Sequence, residues 1–433
     1  MRLERWLGRG PAAGLAAILL ATGGCAGTGH VAGRSAPADP AVAEARAPVT
    51  ILVSIDGFRA DYLDRGITPT LSRLAAGGVS AAMRPSFPSI TFPNHWALVT
   101  GLRPDRNGIV DNTMEDPARP GETFHMDNDD PFWWNEAEPI WVTAERAGIR
   151  TGVMFWPGGN VAWGGTKTDA HHYPIQGGTR PSDWEHYDAY LPGETRVATV
   201  LDWLRRPAAT RPRFATLYFE MVDSYGHDFG PDSPEVARAI ATVDRQIGGL
   251  VAGLAALGQP ANLVIVADHG MAARSNDRVV LLDHIAAPGD FRTTDTGALA
   301  AICPTPGHEA ALERALLRPH EHLQCWRKAD VPARLHYGHN PRVAPYLCLA
   351  DVGWEVLASA PRHPVAGGDH GYDNDAPAMR ALFIANGPAF RAGVRLPTFD
   401  NVDVAPLLRD LIGLPPGRDL DGSDAPFRAA MRR

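Results

Sequence analysis

Three strand-like runs that each lead into an acid constrain this chain more than any other feature. Thr50 to Ile55 leads into Asp56, Phe214 to Met221 into Asp223, and Asn262 to Ala267 into Asp268. The third run is apolar almost throughout, as a strand buried on both faces is. Parallel sheets of α/β proteins gather their functional groups at the carboxyl ends of strands. Two imidazoles accompany these acids: His227 lies four residues after Asp223, and His269 follows Asp268 in Asp268-His269-Gly270. The same tripeptide recurs as Asp369-His370-Gly371. Carboxylates and imidazoles delivered to one edge of a sheet predict a metal site, here with two ions.

The rest of the chain alternates strand, loop and helix signals. Helices are expected over 68–76, 94–100, 140–147, 197–204, 236–257 and 402–411, with a late buried strand over 381–385. The expected fold is α/β, a largely parallel central sheet flanked by helices. Residues 287 to 365 are less regular and predict a small capping region, while Trp133, Trp134 and Trp141 read as packing residues. With 433 residues and 45% hydrophobic content the chain can bury a large core. Its net charge of -8, with no basic run after residue 11, argues against bulk nucleic-acid binding. A small anionic substrate held at a metal is compatible with that balance.

The first residues read as an export signal. Arg2, Arg5 and Arg9 precede an apolar stretch, Ala12 to Ala21, that is too short to span a bilayer. Two end points compete. Leu20 to Cys25 resembles a lipoprotein cleavage box, which would make Cys25 a lipid-bearing membrane anchor; otherwise an ordinary signal peptidase cuts nearby. Residues 1–25 are thus expected as a signal peptide, 26–47 as a flexible tether and 48–433 as the catalytic domain. Lys167 and Lys328 are the only lysines among many arginines. That bias gives the impression of a bacterial chain, exported to the periplasm or tethered to a membrane. An exported chain also allows a disulfide. Cys303, Cys325 and Cys348 leave one pair and one free thiol, with Cys303–Cys325 the preferred pair.

The metal candidates are Asp56, Asp223, His227, Asp268, His269 and His370. Mixed imidazole and carboxylate suits zinc, manganese or iron and disfavours calcium. Taken alone, a strand-terminal Asp is often a helix cap and a lone His a satisfied core residue; their joint placement favours a site. Between Asp56 and Asp223, the segment Pro85 to His95 leads into a helix-like run. A hydroxyl at that helix N-terminus faces a dipole end suited to phosphate. Ser89 and Thr91 both qualify as nucleophiles, and either could simply cap the helix.

The following stretches, in order along the chain, carry a resemblance. They are Ile55-Asp56-Gly57-Phe58-Arg59, Phe87-Pro88-Ser89-Ile90-Thr91-Phe92-Pro93-Asn94-His95, Gly108-Ile109-Val110-Asp111-Asn112 and Glu138-Pro139-Ile140-Trp141. Phe155-Trp156-Pro157-Gly158, Asp223-Ser224-Tyr225-Gly226-His227, Asp268-His269-Gly270-Met271 and Gly368-Asp369-His370-Gly371-Tyr372-Asp373 complete the set. The chain resembles the nucleotide pyrophosphatase/phosphodiesterase family of the alkaline phosphatase superfamily, and the likeness runs from about residue 49 to 420. It implies an alkaline phosphatase-like sandwich and two zinc ions per chain. Asp56, Asp268 and His269 would hold one ion, which also touches Thr91; Asp223, His227 and His370 would hold the other. Thr91 would be the nucleophile, forming a phospho-threonine, and Asn112 would donate to a phosphoryl oxygen. Phe92 and Tyr173 would sandwich a base in a pocket lined by Trp156 and Met126. Asp369 would support the ligands rather than join them, and Asn160 stands where some relatives have Asp. The implied activity is hydrolysis of nucleotide phosphodiesters and pyrophosphates to nucleoside 5'-monophosphates. The same aromatic residues would also serve a choline phosphodiester through cation–π contact, and monoester hydrolysis is a weaker third reading. The sulfatase motif, Cys or Ser followed by x-Pro-x-Arg, does not occur in residues 85 to 95.

Overall fold

A computed structural model describes residues 46–168 and 174–432. The expected signal peptide, most of the tether, Cys25 and Tyr173 lie outside the described residues. Along the chain come β1 (Val49–Ile55), β2 (Val79–Arg84), β3 (Thr151–Met154), β4 (Asp183–Trp184), β5 (Phe214–Phe219) and β6 (Ala261–Val266). Then follow β7 (Phe291–Asp295), β8 (Leu299–Pro304), β9 (Leu323–Arg327) and β10 (Tyr346–Ala350), and last β11 (Ala381–Asn386), β12 (Val394–Arg395) and β13 (Phe399–Asp400). The main helices are α1 (Pro69–Ala76), α2 (Thr91–Thr100), α3 (Ile140–Arg146), α4 (Gly193–Arg205), α5 (Met221–Phe229), α6 (Pro234–Ala256), α7 (Glu309–Leu316) and α8 (Val404–Ile412).

Among the described residues the central sheet has nine strands in the order β12-β2-β11-β6-β1-β5-β3-β4, with β13 also paired to β2. All pairings from β6 to β4 are parallel, whereas β11 runs antiparallel to both β6 and β2. The fold is therefore α/β with a mixed sheet, parallel where the acids end the strands. β1 is buried at all seven positions, and β5 at all six. That double-sided burial is why both read as apolar runs without alternation.

The run from Phe214 is shorter than its sequence suggests. The strand stops at Phe219 and α5 begins at Met221, so Asp223 sits in the first turn of a helix rather than at a strand end. α2 begins at Thr91, three residues before the expected start. The last helix is preceded by a 3-10 turn, Asn401–Asp403.

The region after residue 287 is more regular than its sequence suggests. β7 to β10 form an antiparallel sheet ordered β7-β8-β10-β9, and α7 packs through Leu312 and Leu316 with Ala300, Ile302 and Cys348 in a second apolar cluster. The disulfide joins Cys325 to Cys348, and Cys303 is the buried free thiol. This corrects the expected Cys303–Cys325 pair. Cys325 and Cys348 face each other across β9 and β10, while Cys303 lies opposite Arg292 on the far side of β8.

Candidate metal centre and active site

Strand register brings the acids together. Ser54 pairs with Val266 and Ile55 with Phe219, so β1, β5 and β6 end level. Asp56 follows β1, and Asp268 and His269 follow β6. α5 presents Asp223 and His227 one turn apart on a single face. The loop after β1 reaches this helix through Gly57, at φ +65°, where a Cβ would lie 2.9 Å from Asp223 Cα. His370 arrives by a second ladder. The short strand Gly368–Asp369 pairs antiparallel with Ala272–Ala273, which follows His269 closely. The two Asp-His-Gly strings thus end side by side, and the His269 and His370 rings stack with centroids 3.6 Å apart.

Ligand atoms of Asp56, Asp268 and His269 all lie within 4.8 Å of one another. His227 Nε2 lies 3.5 Å from Asp223 Oδ2, and His370 Nε2 lies 3.6 Å from Asp223 Oδ1. Each imidazole has a main-chain carbonyl at Nδ1: Gly368 for His227 (3.1 Å), Gly270 for His269 (2.9 Å) and Ser89 for His370 (3.2 Å). A histidine that donates from Nδ1 presents the lone pair of Nε2. Nε2 of His227 and of His370 then face each other at 3.0 Å. Nearby, Asp56 Oδ1 and Asp223 Oδ1 are buried and take no hydrogen bond. Opposed lone pairs and orphaned carboxylate oxygens are costly in a dry interior unless cations lie between them. The donor set therefore fits divalent metal ions. Asp369 stands at the back of the cluster, with Oδ1 3.8 Å from His227 Nδ1 and accepting from the His370 amide. The structure groups Asp369 with His227 and His370, and Asp223 with His269 and His370, the ligand atoms of each set lying within 4.8 Å of one another.

The electrostatics show the same need. Burial, then Asp268 and Asp223, push the Asp56 carboxyl well above the usual range. Burial also raises Asp223. Burial would raise Asp268 too, but His269 and His95 overcome it and hold that carboxyl well below normal. Burial lowers His370 strongly, with His269 and His227 adding to the effect. Burial opposes charge on His269, yet Asp268 lifts it to about 9. In the metal-free protein that imidazolium stands in for a cation.

The two candidate hydroxyls separate clearly. Ser89 is fully buried, and its Oγ donates to the Tyr372 carbonyl at 2.6 Å. Thr91 is the first residue of α2, caps nothing, and its Oγ1 lies 3.2 Å from His269 Nε2. Asn112 Oδ1 accepts from the Phe92 amide at 2.9 Å, which turns the carbonyl toward α2 and leaves the NH2 group to donate elsewhere.

A cavity of about 650 Å³ opens over this cluster, lined by Asp56, Thr91, Phe92, Asn112, Asp223, His227 and His370. Met126, Trp156, Asn160 and Trp134 also line it. Trp156 Nε1 donates to the His95 carbonyl at 3.1 Å, so its ring is fixed. Trp133, Trp134 and Trp141 are buried packing residues, and Trp134 also forms part of the cavity wall.

Several residues at the site escape a reading of the sequence. His95 is fully buried; its Nδ1 lies 3.3 Å from Asp268 Oδ2 and its Nε2 2.8 Å from Ser54 Oγ. Tyr218 OH donates to Asp56 Oδ2 at 2.6 Å. His186, Tyr187 and Glu220 line the cavity as well. His95 belongs to a quoted motif, and Tyr218 sits inside an apolar strand where only the structure shows its hydroxyl reaching a carboxylate.

Comparison with known proteins agrees with this geometry. Residues 50–373 match the model of the family described as type I phosphodiesterase / nucleotide pyrophosphatase. The bis(5'-adenosyl)-triphosphatase enpp4 of Xenopus laevis is 38% identical over 372 residues, covering 85% of this chain and 78% of that protein. An uncharacterized pyrophosphatase/phosphodiesterase of Schizosaccharomyces pombe is 38% identical, covering 84% of this chain and 77% of its own. Human ectonucleotide pyrophosphatase/phosphodiesterase 5 superposes with TM-score 0.82 at 33% identity, over 89% of this chain and 100% of that one. The murine counterpart, inactive and in complex with AMP, matches with the same TM-score, identity and coverage. These relatives are animal and fungal and lend nothing to the expected bacterial origin. The aligned family model, the relatives and the shared fold together place this chain in the type I phosphodiesterase / nucleotide pyrophosphatase family.

Proposed function

We infer that the protein is a two-zinc hydrolase that cleaves nucleotide phosphodiesters and pyrophosphates to nucleoside 5'-monophosphates, with Thr91 as nucleophile. One observation carries the reading. Thr91 Oγ1 lies 3.2 Å from His269 Nε2, in a cavity lined by both candidate metal donors and aromatic side chains. Asp56, Asp268 and His269 would hold one ion, and Asp223, His227 and His370 the other. When bound, two such ions stabilise the attacking and leaving oxygens of an in-line displacement and lower the pKa of a coordinated hydroxyl.

The chain's own residues do the rest. The Thr91 hydroxyl gives its proton to solvent, Oγ1 forms a bond to phosphorus, and the bond to the leaving-group oxygen breaks, that oxygen taking a proton from solvent. Water then attacks from the vacated side and gives up a proton to solvent, and the bond from phosphorus to Thr91 Oγ1 breaks, restoring the protonated hydroxyl. Asn112, tied by its carbonyl to the Phe92 amide, donates from Nδ2 to a phosphoryl oxygen. Phe92, Trp156 and Met126 hold the flat group of the substrate, and Tyr173 is assigned to the other face by the family resemblance. The AMP bound by the murine neighbour supports a nucleotide in this cavity. Zinc is preferred because the donors mix imidazole with carboxylate. Export, by signal peptide alone or with a lipid at Cys25, accords with relatives named as ectoenzymes. No described helix is long and apolar enough to cross a membrane.

The test is Thr91→Ala, with metal content and turnover measured on one preparation. Both metals should remain while turnover falls by about 10³-fold or more, as removal of a covalent nucleophile does. Turnover within tenfold of the parent would remove Thr91 from the role.

A further inference from the structure

A second cavity, of about 500 Å³, lies away from the metal cluster, between the segment 110–121 and the capping sheet. Its apolar wall includes Val110, Met114, Ala301, Val343 and Leu347. Four cations line it, Arg119, Arg292, Lys328 and Arg342, against three acids, Asp111, Glu115 and Asp116. Most of these charges are already matched. Arg292 grips Glu115 with both terminal nitrogens, at 2.7 and 2.6 Å. Arg342 Nε donates to Asp116 at 2.7 Å, and Arg119 to the buried Asp130 at 2.6 Å. Burial, then Asp295, pushes the Asp111 carboxyl well up, and its Oδ1 accepts from the Asn112 and Thr113 amides.

Lys328 is the exception. It is half-buried, and its Nζ lies 3.5 Å from the Asn340 carbonyl and 3.3 Å from the Val343 carbonyl. No ion pair of Lys328 with a carboxylate occurs among the described residues. An ammonium has three donors, and among the described residues only these two long carbonyl contacts engage them. A cation held at an apolar wall, with a donor to spare, is a site for one negative charge on an apolar body. Cavities of this volume accommodate small organic ligands.

We propose that this cavity is a binding site for a small amphipathic monoanion, its acidic head on Lys328 and its apolar chain along Val110, Met114, Ala301 and Leu347. This cavity and the nucleotide cavity share no lining residue.

The test is calorimetric titration of the metal-loaded, full-length protein with decanoate, in the presence of saturating AMP. One decanoate should bind per chain, and decanol should bind at least tenfold more weakly. Lys328→Gln should weaken decanoate at least tenfold, and Lys328→Arg should restore it to within about threefold. Both variants should keep the parent's turnover on a nucleotide substrate, since Lys328 touches no part of that machinery. Ala301→Leu, which fills the cavity without touching its charges, should also abolish binding. Absence of decanoate binding at millimolar concentration would overturn the proposal, as would equal affinity in Lys328→Gln or competition between decanoate and AMP.

Discussion

His269 shows how one residue reports on the whole centre. Burial opposes its charge, but Asp268, with Nε2 and Oδ2 2.9 Å apart, raises it to about 9 in the metal-free protein. An unfolded histidine titrates near 6.5. The folded pKa is therefore the higher one, so the pair stabilises the metal-free fold fully below about pH 6.5. That stability drains away as pH rises through about 9. Metal binding demands neutral imidazole and so releases this proton. The Tm of EDTA-treated protein should fall between pH 6.5 and 9, and metal uptake at pH 7 should release about one proton per chain from this group. A flat Tm with no proton release would contradict it. The gathering of these acids and histidines is readable from their placement near strand ends. The choice between Ser89 and Thr91 is not, because it depends on which residue α2 begins with. His95 and Tyr218 are hidden for another reason. They act on Asp268 and Asp56 across the sheet, and no spacing in the chain records that contact.

At the scale of elements, apolar runs give the strands but not their ends. The run from Phe214 continues past the strand because the first turn of α5 is itself apolar, with Met221 and Val222 packed inward. Asp223 and His227 therefore ride on a helix, and their four-residue spacing is the sign of it. The approach of that helix to the β1 loop depends on Gly57. Its φ of +65° disfavours any side chain, and a Cβ would collide with Asp223. Gly57→Ala should cost about 1 kcal/mol in backbone strain, displace Asp223, and lower turnover at least tenfold with loss of bound metal. Full metal content and parental turnover would show that the loop has room to move. The capping sheet carries its own constraint. Its disulfide closes a separation of 23 residues, for which a cross-link stabilises by about 3 kcal/mol. Cys348→Ser should reduce denaturant stability by that order, whereas an unchanged midpoint would mean the bridge does not hold the cap. The cap reads as irregular in sequence because its strands β8, β9 and β10 are joined by long connections that carry Pro, Gly and charged residues.

Over the whole molecule, the α/β architecture was legible because the parallel strands are buried on both faces and announce themselves as apolar runs. The large cavity is legible only through family motifs. Its walls come from α2, α5 and loops spread from Met126 to His370, and its volume exists only once they are folded together. The cavity at Lys328 had no signal at all. The central claim concerns what the large cavity is for. A centre with the Asn112 amide beside Thr91 and an aromatic wall suits a phosphodiester. Among the described residues no arginine lines that cavity to balance the extra charge of a monoester. The direct test is kcat/KM of the purified, zinc-loaded protein on p-nitrophenyl thymidine 5'-monophosphate, beside p-nitrophenyl phosphate and p-nitrophenyl phosphorylcholine. The nucleotide diester should lead both by at least about 100-fold, equivalent to about 3 kcal/mol of transition-state binding. A lead for phosphorylcholine would keep Thr91 and the metals but contradict the nucleotide, and a lead for the monoester would contradict the diesterase itself.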